Sequence, residues 1–381
     1  MNNDWLADGF RPFFLGAAWL GVAWMLLWLL LLQFGLAIDR AIPALQWHAH
    51  EMLFGYVMAV LAGFLLTAMQ NWTGLRLVTR RQLALLFGVW LAGRLAFVMP
   101  GGLPLGVVSI IDLAFLPLLA GIAGHTLIAA GNRRNYSLLL LLLAFWSCNL
   151  LLHLEWHGIV AGVTAAVQDV TVLLVVTLLV FMGGRVIPFF TERRLPVAAP
   201  LQWPWLNWAA TLACLALIPA YLWLGRTPAL AALLVIAAVL VLLRWLAWKP
   251  WHTLAEPLLW VLHLGYAWVP AGLLLLALHS TTELVWSVGI HALMVGAMGS
   301  LTLGMMARVA LGHSGRPLAA HPAVTVAFVL MSLAAVLRVL AGVYPGINTL
   351  LVGAGLLWSL ALLLYALVYT PLLMEKRQAV T

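Results

Sequence analysis

Long apolar runs dominate this chain and are separated by short polar segments. A transmembrane helix needs about 20 predominantly apolar residues, and about twelve runs of that kind can be marked along the sequence. They cover 13–35, 47–70, 82–99, 103–130, 136–157, 164–186, 203–224, 228–247, 255–278, 286–310, 322–342 and 347–370. We therefore predict an all-α membrane protein in which about 12 transmembrane helices form a single polytopic membrane domain, 1–381.

The composition and the placement of charge support this interpretation. Hydrophobic residues make up 65% of the chain and charged residues 8%, which is outside the range of soluble domains. The formal net charge of +8 does not indicate a nucleic-acid partner, because the basic residues cluster after even-numbered helices. By the positive-inside rule, this bias predicts that both termini lie in the cytoplasm. The residues concerned are Arg76, Arg80, Arg81, Arg133, Arg134, Arg193, Arg194, Lys249, Arg316, Lys376 and Arg377.

Helices 2 and 10 share a spacing of histidine and glycine. His50 is followed five residues later by Gly55, and His291 is followed five residues later by Gly296. Helices 6 and 10 share a second spacing in "RVIPFFTER" and "RVALGHSGR". The simplest interpretation is three four-helix pseudo-repeats over 1–135, 136–252 and 253–381. Small residues also recur in membrane helices for packing reasons alone, so chance similarity is the alternative.

Histidines are unusually frequent for so apolar a chain, and many lie near predicted outer helix ends. Neutral imidazole is a common ligand of haem iron and of copper. The repeat selects His50 and His291 as candidate haem ligands. The alternative is that histidines at helix ends lie at the membrane interface and bind no cofactor. Cys148 and Cys214 lie within predicted spans and no CxxCH motif is present, so any haem would be held non-covalently.

A second metal, most plausibly copper, has candidate ligands in His48, His153 and His157. His48 and His50 are about 200° apart on a helical wheel and therefore face different surroundings. Helix 5 presents Asn149, His153 and His157 as one polar stripe. The stripe is equally compatible with a hydrogen-bonded packing seam.

Charged residues inside the predicted spans need partners. Arg94 and Arg338 lie mid-span, where a carboxylate such as Asp112 or Asp169, or a haem propionate, would satisfy the guanidinium. A helix break with carbonyl partners is the alternative. Asp112, Asp169 and Glu51 are also candidates for a proton path, which a reaction that consumes protons would require.

Six segments resemble signature segments of the NnrS family from end to end. They are "GFRPFFLGAAWLG", "WHAHEMLFGY", "GFLLTAMQNWTG", "GGRVIPFFT", "LHLGYAW" and "MMARVALGHSGRP". Gln70 stands where the family pattern has proline. The resemblance implies a bacterial inner-membrane protein associated with haem b, with copper and with denitrification or defence against nitric oxide. Its matching motif positions are His48, His50, Glu51, Arg185, His263, His291, Arg308 and His313.

These features suggest a membrane haem and copper protein that binds or reduces nitric oxide. Electrons would come from a quinol or a redox protein. The predicted architecture also resembles the catalytic subunits of haem-copper oxidases, although helix 6 lacks their histidine ligand; this is an analogy of fold alone. The rival interpretations are a small-molecule or ion transporter and a haem-based sensor or scaffold that catalyses no reaction.

Overall fold

The structure, a computed structural model, describes residues 4–36, 42–75, 78–99, 102–196 and 199–375. Those residues form twelve long helices and contain no strand. The helices are α1 Phe10–Phe34, α2 Ala44–Thr73, α3 Arg80–Ala96, α4 Leu105–Ala129, α5 Ser137–Trp156, α6 Thr164–Arg194, α7 Pro204–Leu224, α8 Pro228–Ala247, α9 Pro257–Leu278, α10 Trp286–Ser314, α11 Pro322–Val343 and α12 Asn348–Met374.

Eleven of the twelve helices are long and apolar enough to cross a membrane. The exception, α3, has 17 residues and carries arginines at Arg80, Arg81 and Arg94. Large apolar side chains also cover the outside of the described structure, as at Ile110 and Leu140. The predicted all-α membrane architecture is therefore confirmed. The predicted spans agree with the helices to within about four residues, except that α6 continues to Arg194 where the prediction ended at 186.

Helix ends follow signals that are visible in the sequence. Thr79 begins α3 with a capping box that it shares with Gln82. Gly35 and Gly74 end α1 and α2 in the left-handed conformation, with φ of 62° and 68°. Proline occupies the first turn of α7, α8, α9 and α11, where its missing N–H costs nothing. These signals explain why the boundaries were readable from the sequence.

The chain forms two compact units. The first contains Met1–Thr171, Gly312–Arg316 and Ala366–Thr381, and the second contains Val172–Leu311 and Pro317–Tyr365. Within the first unit, Arg11 of α1 donates to the Leu373 carbonyl at 3.0 Å and so binds the end of α12. Three four-helix repeats stay a prediction.

Two helices contain a π-helical segment, and both segments begin directly after a histidine. In α2 the segment is Glu51–Val57, which follows His50; in α10 it is Ala292–Gly299, which follows His291. π-Helical turns are rare and occur frequently at functional sites. Their matching positions favour the correspondence of helices 2 and 10 that the histidine and glycine spacing suggested.

Glycines in the second unit allow α9 and α10 to approach closely. A Cβ atom at Gly296 would lie 2.5 Å from the Trp268 ring, and one at Gly272 would lie 2.6 Å from Leu293. Inside a bilayer the hydrophobic effect does not hold helices together, so small residues stabilise helix contacts by allowing close van der Waals packing. This packing accounts for the glycine-rich sequence of α10.

Several residues that supported the predictions lie outside the described residues. They are Arg76, Lys376 and Arg377. The predicted orientation of the termini therefore stays a prediction.

Candidate metal centre

Four helix ends in the first unit bring ionisable side chains together. Because consecutive helices run antiparallel, the beginnings of α2 and α4 meet the ends of α3 and α5. The side chains of Glu51, Arg94, Asp112 and His153 converge there and are all at most 4% exposed. Ionisable groups in an apolar interior need partners, and this cluster supplies them from several helices.

Arg94 joins the two carboxylates of the cluster. Its Nη1 atom donates to Glu51 Oε1 at 2.6 Å, and its Nη2 atom forms an ion pair with Asp112 Oδ1. A Cβ atom at Gly55 would lie 3.2 Å from the Arg94 side chain, so the glycine leaves room for the guanidinium. A carboxylate partner was expected for Arg94, and Asp112 provides one.

His50 is enclosed between acceptor atoms. Its Nδ1 atom lies 3.1 Å from Glu51 Oε1, and its Nε2 atom lies 2.9 Å from Asn149 Oδ1 and 3.2 Å from Asp112 Oδ2. The Asn149 amide in turn donates to Asp112 Oδ2 at 2.8 Å. His50 is therefore held by three hydrogen-bonding groups and is fully buried.

His153 has a similar arrangement of partners. Its Nε2 atom lies 2.9 Å from Asp112 Oδ2, and its Nδ1 atom lies 2.9 Å from the Ser109 hydroxyl. The same hydroxyl contacts His157 Nε2 at 3.0 Å, and His157 is exposed. The polar stripe of α5 thus forms a hydrogen-bonded seam with α4.

The protons available to this network do not satisfy all its acceptors. The conflict lies at His50. A neutral imidazole carries one N–H, but Glu51 Oε1 faces Nδ1 of this ring, and Asn149 Oδ1 and Asp112 Oδ2 face its Nε2. Whichever nitrogen of a neutral His50 is protonated, the other meets an acceptor. His153 has no such conflict, because its Nε2–H can donate to Asp112 while the Ser109 hydroxyl donates to its Nδ1.

A count of formal charges also indicates that the cluster lacks one positive charge. Glu51 and Asp112 contribute two negative charges and Arg94 contributes one positive charge. With neutral imidazoles, the buried cluster retains one excess negative charge. An unbalanced charge is costly in a low-dielectric interior, so one proton or one cation is expected at this position.

The donor atoms suit a transition-metal ion. One ligand atom each from His50, Asp112 and His153 lie within 4.8 Å of one another. Glu51 and Ser109 hold the Nδ1 atoms of the two imidazoles, as outer-sphere groups do for metal-bound histidines. Two imidazoles and a carboxylate are a donor set used by iron, copper and zinc.

Aromatic rings close around the histidines. Phe97 and Trp156 have ring centroids 4.8 and 5.2 Å from that of His50, and Phe54 lies at 5.2 Å. Trp24 donates its indole N–H to Glu51 Oε2 at 2.6 Å. This enclosure leaves His50 fully buried, and its role as a haem ligand stays a prediction.

The other predicted residues of the first unit lie elsewhere. His48 stacks on Trp28 with ring centroids 4.5 Å apart, so His48 and His50 do have different surroundings, as the helical wheel required. Asp169 is buried on α6. Its role in a proton path stays a prediction.

Four further predicted residues, His263, His291, Arg308 and Arg338, belong to the second unit. His291 Nδ1 lies 2.7 Å from the Ser287 carbonyl, which can only accept, so Nε2 is the unprotonated nitrogen of a neutral ring. Arg308 lies over the Phe190 ring with its guanidinium carbon 4.0 Å from the centroid. His263 contacts Thr191 at 2.9 Å, and Arg338 is half-buried on α11.

Sequence reasoning did not identify Ser109 and Trp24 as parts of the cluster. Single serines and tryptophans occur throughout the chain, so neither stands out by residue type. Ser109 lies near the predicted outer end of its helix, as Glu51 and His153 do, whereas Trp24 lies at the middle of the predicted span 13–35. Position along the helix was therefore a signal for Ser109 and not for Trp24.

Comparison with known proteins agrees with the sequence motifs. None of the curated proteins compared matches the chain. The family model described as NnrS protein matches residues 4–377. The chain therefore belongs to the NnrS family.

Proposed function

We propose that this protein is a membrane metalloprotein in which His50, Asp112 and His153 hold one transition-metal ion. The observation that carries the proposal is the fully buried His50 ring, which faces Glu51 at Nδ1 and Asp112 at Nε2, so that a neutral imidazole with one N–H leaves one of these contacts without a proton. A bound ion removes that conflict and offsets the excess negative charge.

Copper is the ion that the charge balance favours. Cu(I) carries one positive charge and would make the cluster neutral, whereas a divalent ion would leave it with one positive charge. Imidazole suits copper in both oxidation states, and iron is the runner-up for this donor set. When bound, a copper ion supplies one-electron redox chemistry; the residues of this chain position it, exclude water and set its charge.

We further propose that haem b is held by His291. A ring that donates Nδ1–H to a backbone carbonyl presents its Nε2 lone pair to iron, which is the usual arrangement of a ligating histidine. The start of a π-helical segment at the next residue also favours this position. Arg308 and Arg338 are the candidate partners of the propionates, because Arg94 already pairs with two carboxylates.

Nitric oxide is the proposed ligand, and its assignment rests on the family resemblance of the sequence motifs. Reduction of two molecules to nitrous oxide and water consumes two electrons and two protons. The electron donor would be a quinol or a redox protein. A sensor would bind nitric oxide without turnover, so production of nitrous oxide from reduced protein separates the enzyme from the sensor or scaffold.

Metal analysis tests the first part of the proposal. Protein purified from copper- and iron-replete cells should contain about one copper or iron per chain at the three-residue site. His153→Ala should lose that ion, while His125→Ala, an exposed histidine on α4, should keep it. Unchanged metal content in His153→Ala would contradict the assignment.

Absorption spectroscopy tests the haem. The oxidised protein should show a Soret band that shifts on reduction and again on addition of nitric oxide. His291→Ala should lose the band, whereas His279→Ala should retain it, although His279 makes the same kind of Nδ1 contact with a backbone carbonyl at 2.7 Å. Full haem occupancy in His291→Ala would overturn this ligand.

Cation transport is the second candidate function. The contacts from exposed His157 through Ser109 to His153 provide polar groups between the surface and the cluster. A transporter would exchange its ion rapidly and move it across a vesicle membrane. Uptake of radioactive copper into proteoliposomes would favour transport, whereas a resident ion that resists dialysis favours the redox protein.

A further inference from the structure

The second unit buries an arginine that has no acidic partner. Arg244 lies in the last turn of α8, and its side chain is 2% exposed. It donates to the carbonyl oxygens of Val180 at 2.6 Å and Asn207 at 3.2 Å, and it contacts the Tyr266 hydroxyl. All three partners are neutral, and no carboxylate of the described residues pairs with Arg244. One positive charge is therefore buried without a counterion.

Two N–H donors in the same place are also unused. The Nε atom of Arg244 and the Nε1 atom of Trp248 are buried and have no hydrogen-bond partner in the part of the chain that the structure describes. The guanidinium carbon lies 5.4 Å from the centroid of the Trp248 ring, so both donors belong to one cluster. Burial of a polar group without a partner is costly, and two such donors beside an unbalanced cation point to a missing acceptor.

His263 adds an unpartnered atom to the same cluster. His263 Nε2 lies 2.9 Å from the Thr191 hydroxyl, which can donate to it. His263 Nδ1 is buried with no partner among the described residues, and the His263 ring lies 6.2 Å from that of Trp248. With Nε2 accepting from Thr191, a neutral ring carries its proton on Nδ1, which makes Nδ1–H a third unused donor in the cluster.

We propose that Arg244, Trp248 and His263 form a binding site for a small monovalent anion. The guanidinium supplies the charge, and the unused N–H groups supply directional donors. The ligand must be small, because the helices pack closely here: a Cβ atom at Gly184 would lie 2.8 Å from Arg244 Nη1. Formate, nitrite and hydrogencarbonate have suitable charge and size. This site is independent of the metal centre in the first unit.

Calorimetric titration of the full chain in detergent tests the site, with sodium formate as the probe at constant ionic strength. The wild type should bind formate saturably. Trp248→Phe should bind at least about tenfold more weakly, because it removes one donor to a charged acceptor. That substitution preserves the ring and breaks no protein hydrogen bond, so the variant should fold.

Trp245→Phe is the matched control. Trp245 lies three residues away and donates to the backbone carbonyl of His263 at 2.8 Å, so its substitution removes an indole hydrogen bond but none of the unused donors that would bind the anion. Formate affinity in this variant should match that of the wild type. Absence of saturable binding by the wild type, or equal affinity in Trp248→Phe, would overturn the proposal.

Discussion

His153 directs its Nε2 atom at the Asp112 carboxylate from 2.9 Å, on the opposite side of the ring from its contact with Ser109. A neutral His153 can donate Nε2–H to that oxygen, but a neutral His50 has one N–H and cannot donate both to Glu51 at Nδ1 and to Asp112 at Nε2. A cation bound by Asp112 and the two Nε2 atoms removes this conflict. We therefore regard these three side chains as the core of the metal centre.

Removal of the Ser109 hydroxyl should weaken metal binding without removing a ligand. Ser109→Ala leaves His153 free to rotate and to change its protonated nitrogen, and loss of such outer-sphere contacts typically costs 10- to 100-fold in metal affinity. Competition with a chelator of known affinity measures the change. Ser147→Ala is the control, since Ser147 on α5 bonds only its own helix, at Leu143; similar affinities in the two variants would argue against the role of Ser109.

Arg94→Met should destabilise the protein strongly. Without the guanidinium, two carboxylates remain buried side by side, and removal of one partner from a buried ion pair costs about 3–5 kcal/mol. Denaturant unfolding of metal-free protein in detergent measures the free energy of unfolding. Arg81→Met, at an exposed position, should change it by less than about 0.5 kcal/mol. Addition of Asp112→Asn to Arg94→Met should recover part of the loss; further loss would contradict the charge count.

Gly55→Ala should disturb the ion pair of Arg94. The added Cβ atom would lie 3.2 Å from Arg94 and 3.3 Å from Glu51 Oε2, closer than ordinary contact, so the guanidinium must move. We expect a loss of about 1–3 kcal/mol in stability, as for other overpacked interiors. Gly88→Ala is the control, because nothing lies within 4 Å of its Cβ position. A thermal unfolding series that ranks the two variants equally would contradict this packing.

The charge bias predicts that both termini face the cytoplasm. A green fluorescent protein fused to the C-terminus should therefore fluoresce in the cell, and an alkaline phosphatase at the same position should stay inactive. The opposite pair of results would reverse the assignment of inner and outer helix ends.

The spans could be predicted from the sequence because each depends on a local property, the length of an apolar run. The surroundings of His48 and His50 were also predictable, since helical periodicity places them on different faces. Pairing across helices depends on how each helix is rotated and at what depth side chains meet. No local pattern encodes that rotation, which is why Asp112 was expected in a proton path or beside Arg94 and not as a neighbour of both His50 and His153.

The π-helical segments were not predicted either. A π-helical turn inserts one residue into the helical repeat, and the sequence of Glu51–Val57 carries no distinctive signal for it. Trp90 shows how tertiary contacts stabilise the segment, since its indole N–H donates to the Gly55 carbonyl at 3.0 Å. That partner belongs to α3, so the cause lies outside the segment itself.

Anomalous diffraction from crystals of the purified protein tests the central claim most directly. Data collected at the copper and iron absorption edges should show one peak among His50, His153 and Asp112, at bonding distance from one atom of each side chain. No peak among these three side chains in metal-replete protein, with ordered density for all of them, would contradict the metal centre and leave a shared proton as the source of the missing charge.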